Sequence, residues 1–157
     1  MSKNVMKISL KEFYPIIKEK LETGGTVELP ITGTSMLPLL VQGRDSVILS
    51  SVNEVKINDI IFYRRDSGAF VLHRIIGIDD NGYILCGDNQ WVKEYGIKNH
   101  NIIGVVTHIN RNGKTIDVDN KKYVKYYNRW LKLFPIRKPI VKLLTILRAI
   151  KRKMSSN

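Results

Sequence analysis

Phe70-Val71-Leu72-His73-Arg74-Ile75-Ile76-Gly77-Ile78, followed by Asp79-Asp80-Asn81-Gly82 and Tyr83-Ile84-Leu85-Cys86-Gly87, is the stretch that decides the class of fold. Both apolar runs are short and rich in β-branched and aromatic residues, the side chains that suit a pleated, half-buried surface. Asn81-Gly82 between them tolerates the backbone of a tight turn, so the whole stretch reads as a hairpin. Outward from it, VELPI (27–31), SVILS (46–50), IIFYR (60–64) and IIGVVTHI (102–109) repeat the pattern. Turn signals separate them at Gly43-Arg44-Asp45, Asn58-Asp59, Asp66-Ser67-Gly68 and Asn112-Gly113. Residues 26–120 are therefore expected to form a mainly β body, a coiled sheet or a partly open barrel.

Helical flanks enclose that body. Residues 7–22 place Ile8, Leu10, Phe13, Ile16, Ile17 and Leu21 on one face of an amphipathic helix. Ser9 suits its N-cap, Pro15 fits only near the first turns, and Gly24-Gly25 ends it. This gives an N-terminal helical unit over residues 1–25. After Lys122, the residues Tyr123, Tyr126, Tyr127, Trp130, Leu131 and Phe134 recur at helical spacing. Pro135 and Pro139 interrupt, and a second helix is expected over about 138–153.

Charge separates the same parts. The chain has 157 residues and a net charge of +12, yet all 14 carboxylates precede residue 120. Residues 121–157 hold 12 Lys and Arg and no acid, so this tail carries the surplus. A basic, aromatic, amphipathic tail reads as an element for an anionic membrane surface. A hairpin packed on the body, or a contact with nucleic acid or an acidic partner, are the alternatives. The neutral body argues against nucleic-acid binding there. The apolar core of the second tail helix is too short and too charged to span a bilayer. Lysines and glutamates interrupt the N-terminal apolar residues, so no anchor or signal peptide is read there. A peripheral membrane or cytoplasmic location is expected. The single cysteine, Cys86, has no disulfide partner, and His100 and His108 suggest no metal site, so no cofactor is expected.

Three segments carry side chains capable of chemistry. Ser35, within Thr32-Gly33-Thr34-Ser35-Met36-Leu37-Pro38, sits on a small-residue approach that can expose a hydroxyl beside free N–H groups, as acyl transfer requires. The same pattern also serves a plain turn. His73 and Arg74 interrupt an apolar strand, and the simple reading is an edge strand with both side chains in solvent. Gly87-Asp88-Asn89-Gln90 ends the next strand and reads alone as an Asx turn.

Together and in order, these segments resemble the signal peptidase I family and the related self-cleaving domain of LexA-type repressors. The resemblance spans about residues 27–108. It rests on the serine box Ser35-Met36-Leu37-Pro38, then Gly43-Arg44-Asp45-Ser46-Val47, then Asn58-Asp59-Ile60-Ile61-Phe62-Tyr63. The base box Leu72-His73-Arg74-Ile75-Ile76-Gly77 and the final Gly87-Asp88-Asn89-Gln90 complete it. His73 stands where bacterial enzymes and the repressors place lysine, which is similar to the archaeal and endoplasmic-reticulum signal peptidases. The resemblance implies a serine endopeptidase acting on a leader or signal peptide or a preprotein, with Ser35 as nucleophile and His73 as general base. It implies Asp88 as the acid that orients His73, with Glu94 and Arg74 as supporting candidates. The oxyanion donors implied are the N–H of Ser35 and a group of Thr34, because Gly33 replaces the usual hydroxyl residue. Thr32, Gly33, Met36 and Pro38 would border the extended substrate. The alternatives are a self-cleaving regulatory domain and a catalytically idle relative that binds peptides or membranes. Against the former, the first 25 residues hold neither an Ala-Gly nor a Cys-Gly bond and no DNA-binding helical pair.

Overall fold

A computed structural model describes residues 10–154. The alternating runs become strands β1 (Val27–Pro30), β2 (Asp45–Ser50), β3 (Ile60–Arg64), β4 (Phe70–Asp79), β5 (Gly82–Cys86), β6 (Glu94–Ile97), β7 (Ile102–Arg111) and β8 (Lys114–Asp117). They form one antiparallel open sheet in the order β1-β2-β7-β3-β4-β5-β6, with β8 also paired to β7. One edge of β7 carries β2. Its other edge carries β3 at residues 102–105 and β8 at residues 108–111.

β4 and β5 meet through Asp79↔Gly82, leaving Asp80 and Asn81 as the loop, and Gly82 takes a φ of +120°. Asn112 and Gly113 both have positive φ and close the β7–β8 hairpin, the conformation Asn-Gly adopts at least cost. β6 and β8 extend the strand reading of the sequence, since neither segment alternates over a useful length.

Alternation along the strands sorts the apolar residues onto two faces. Ile60 and Phe62 of β3 join Val47, Leu49, Val106 and Ile109 in one core, covered by Ile17 and Leu21 of helix α1 (Leu10–Glu22). Ile61 and Tyr63 face the other way, into a smaller core with Val55, Ile75, Leu85 and Ile97. α1 lies close on β7 at Gly104, where an added Cβ would meet Leu21 Cδ1 and the Ser50 carbonyl at 3.1 Å. Residues 7–9, including the expected cap Ser9, lie outside the described residues. Pro15 stands sixth in α1, past the first turn.

The tail forms α2 (Lys121–Lys132), capped by the Asn120 side chain on the Lys122 N–H, then a short 3-10 turn at Phe134–Ile136 and α3 (Arg137–Met154). Pro139 falls in the first turn of α3, where its missing N–H costs nothing. Tyr123, Trp130, Arg137 and Val141 are buried on the inner side of this pair. Among the described residues, no helix is long and apolar enough to cross a membrane.

Candidate functional site

β4 is not an edge strand, because β3 and β5 flank it. His73 is 4 % exposed and Arg74 is 1 % exposed, so the reading of a solvent-facing polar pair is corrected. Successive residues of a strand point to opposite faces, and these two serve different partners.

Arg74 turns toward α2. Its Nε and Nη2 donate to the two Asp88 oxygens at 2.9 and 2.8 Å, and its Nη1 donates to the Asn58 carbonyl at 2.8 Å. The guanidinium also lies 5.7 and 5.4 Å from the ring centres of Tyr123 and Tyr127. Burial opposes this charge, but the Asp88 carboxylate outweighs it and holds the guanidinium above its ordinary value. Asp88, itself 1 % exposed, thus gives both oxygens to Arg74. Its carbonyl accepts the Trp130 indole N–H at 2.7 Å, which ties α2 to the same turn.

His73 turns to the other face. Its Nδ1 lies 3.3 Å from the Tyr63 hydroxyl. That hydroxyl interacts in turn with the Glu94 carboxylate, which accepts the Arg65 Nε at 2.9 and 3.0 Å. Burial works against the Glu94 charge, but hydrogen bonds from Arg65 and Tyr63 prevail and keep its carboxyl below the usual range. Burial, reinforced by Glu94, pushes the Tyr63 hydroxyl well up, so it stays protonated. The Tyr63 hydroxyl is the group that hydrogen-bonds His73 Nδ1 and holds the ring. A proton on Nδ1 in that bond leaves Nε2 bare, the form a general base needs. Burial lowers the His73 pKa to about 4, with Glu94 partly offsetting it, so the ring is neutral at pH 7.

Ser35 arrives from β1. The chain leaves the strand at Ile31, whose N–H donates to the Asp45 carbonyl at 3.0 Å. Gly33 follows at a φ of +77°, its N–H on Gln42 Oε1 at 2.9 Å. The Asp45 carboxylate fixes the far end of the loop through the Val41 N–H, Arg44 and Arg111. Burial raises the Asp45 carboxyl, but these donors dominate and hold it far below the usual carboxylate range. Met36 is buried and Pro38 exposed. The Ser35 carbonyl accepts the Asn89 N–H at 2.7 Å. A Cβ on Gly87 would come within 2.6 Å of that same carbonyl, so the close approach requires glycine. Arg74 pairs with Cys86 across β4 and β5, and one residue further His73 comes abreast of Gly87. The serine turn and His73 thus border the same Gly87–Asn89 turn. The N–H groups of Thr34 and Ser35 have no partner among the described residues.

Two cavities flank this turn. One, of about 430 Å³, lies between the β1 segment (Leu29 to Thr32) and Phe70 to Leu72 of β4, with Ser35 and Met36 at its wall. β1 and β4 are four strands apart in the sheet, so the sheet curls to bring them together. The other, of about 680 Å³, is lined by Thr34, His73, Arg65, Glu94, Asn89 and Gln90, and by Val141 and Thr145 of α3. The neighbouring pairs Thr34-Ser35 and Leu72-His73 stand between the two. No hydrogen bond joins the Ser35 hydroxyl to His73 among the described residues.

Of the sequence-selected residues, Ser35, Thr34 and His73 converge on one turn, with Thr32, Gly33 and Met36 leading into it. Arg74 and Asp88 pair behind it. Glu94 approaches His73 through Tyr63. Tyr63, quoted only as the end of a sequence box, and Arg65 had no site role in the sequence; the one available signal was the parity that puts Tyr63 on the His73 face. No group of His, Cys, Asp and Glu suited to a metal ion occurs among the described residues. A scan against protein-family models finds no match, and comparisons with curated proteins and with solved structures find none either.

Proposed function

We propose that this chain is a serine endopeptidase of the signal peptidase type, cleaving a leader or signal peptide held as an extended strand. The observation that carries the reading is the Ser35 carbonyl bound to the Asn89 N–H at 2.7 Å, since Asn89 also lines the cavity that holds a neutral His73. In the reaction, the Ser35 hydroxyl turns toward His73, loses its proton to Nε2 and attacks the peptide carbonyl. The free N–H groups of Thr34 and Ser35 receive the developing oxyanion. The intermediate then expels the amine, which takes the proton from His73, and leaves an ester on Ser35. Water, deprotonated by the same imidazole, hydrolyses that ester and restores the serine. The substrate lies in the apolar cavity between β1 and β4, where the edge of β1 that pairs with no strand among the described residues offers main-chain hydrogen bonds.

A fluorophosphonate probe tests this. Labelling of the full chain that is lost in Ser35→Ala and falls at least about 100-fold in His73→Ala supports the reading. Equal labelling of Ser35→Ala overturns it. The open Ser35–His73 contact favours, as a second reading, an idle relative that binds peptides without cutting them. Absence of any label together with retained peptide binding would establish that instead.

A further inference from the structure

We propose that the outer face of α3 docks on an anionic lipid bilayer, lying along its surface. Leu143, Ile146, Leu147, Ile150 and Met154 are 57, 57, 51, 49 and 77 % exposed. Their spacing of three, four and seven residues, extended by Met154, lines them up as one stripe along the helix. The opposite face is already satisfied. Arg137 and Val141 are buried, and Arg148 Nη1 donates to Asn89 Oδ1 at 3.0 Å. The stripe is therefore not the packing face of a helical hairpin. It is an apolar surface left outside a helix that has found its seat.

Charge selects the occupant. Lys142 and Lys153 flank the stripe on one side and Lys151 on the other. No carboxylate occurs anywhere in residues 121–157. Two copies of this surface brought face to face would repel each other strongly. A nucleic acid would meet the lysines but gain nothing from burying five apolar side chains. A bilayer with anionic headgroups satisfies both sets at once: acyl chains receive the stripe, and headgroups receive the lysines. The inner face of α3 contributes Val141 and Thr145 to the cavity that holds His73. Docking would thus bring that cavity close to the lipid surface. The proposal stands on α3 alone and does not depend on the chemistry at Ser35.

Flotation of the full chain with vesicles of phosphatidylcholine and phosphatidylglycerol (3:1) tests it against phosphatidylcholine alone. The expected result is binding to the mixed vesicles that falls about 100-fold or more in Leu143→Asp/Leu147→Asp, two substitutions at exposed positions. Lys142→Ser, Lys151→Ser and Lys153→Ser should each weaken it about 5-fold and make it less sensitive to salt. Circular dichroism of each variant checks that α3 persists, and the lysine series reports independently of the aspartate pair. Three results overturn the proposal. One is no binding to the mixed vesicles. Another is binding that ignores the aspartate pair while duplex DNA binds equally well. The third is a lipid-free dimer, seen by light scattering, that the aspartate pair dissolves.

Discussion

Asp88→Ala separates two jobs that this carboxylate could hold. In the structure both its oxygens accept from Arg74, at 2.9 and 2.8 Å, and each partner is 1 % exposed. Removing the acid leaves a buried guanidinium with only the Asn58 carbonyl, the Tyr123 hydroxyl and two ring faces to hold it. Breaking a buried pair in this way costs about 3–5 kcal/mol, because the remaining charge keeps its desolvation penalty. Small domains are stable by only about 5–15 kcal/mol, so the loss is a large share of the total. With a urea m-value of about 2 kcal/mol/M, the unfolding midpoint should drop by roughly 1.5–2.5 M. Tryptophan fluorescence follows it well, since Trp130 donates to the Asp88 carbonyl itself. Arg74→Met/Asp88→Leu should recover most of the loss, because replacing both charges removes the unpaired one. If Asp88 chiefly oriented His73, the single variant would instead keep its stability and lose reactivity at Ser35. A destabilisation below about 1 kcal/mol in Asp88→Ala would refute the structural assignment.

Tyr63→Phe removes the hydrogen-bond partner of His73 Nδ1, and labelling of Ser35 should slow about 10-fold or more, as one buried hydrogen bond warrants. Glu94→Gln should slow it less and shift the midpoint of its pH profile downward, because the charge supporting the imidazolium is lost; an unchanged profile in both variants would exclude the relay. The wild-type labelling rate should hold from neutrality downward and fall as pH drops through about 4, where His73 takes up its proton. Stability follows the same group: folded His73 titrates near 4 but the unfolded residue near 6.5, so folding loses about 3 kcal/mol between those values as pH falls. His73→Gln should flatten that part of a stability–pH curve measured by urea titration. Gly87→Ala places a Cβ 2.6 Å from the Ser35 carbonyl and 2.8 Å from Gln90 Oε1. It should cost about 1–3 kcal/mol in a melt and displace the serine turn, with loss of labelling.

The hairpin of β4 and β5 was legible because alternation and Asn81-Gly82 agree about it. β6 was not, since Gly96 breaks its four residues with a φ of +75°. The exposure of His73 and Arg74 could not be read from β4 alone. Whether a polar residue in a strand meets water depends on which strands lie beside it, and β3 and β5 are set by the sheet order. The same limit reversed the emphasis between two acids. Asp88 and Glu94 both follow β5 closely in the chain. Only the parity of β4 shows that Arg74 faces Asp88, while His73 faces Tyr63 and, through it, Glu94. The serine turn was legible as a turn; its bond to Asn89 is a contact between segments 54 residues apart and leaves no local trace. In the tail, helical spacing identified both helices, but the burial of Arg137 against Trp130 and Phe134 depends on the fold.

Asn89 answers to two neighbours: its main chain grips Ser35 and its side chain grips Arg148, while Trp130 secures the residue before it. A truncated protein ending near residue 120 would therefore forfeit two of the fastenings of the turn on which the serine rests. Any deficit in such a shortened chain would mix lost attachment with a slackened nucleophile. Single substitutions on the far side of α3 keep those fastenings in place.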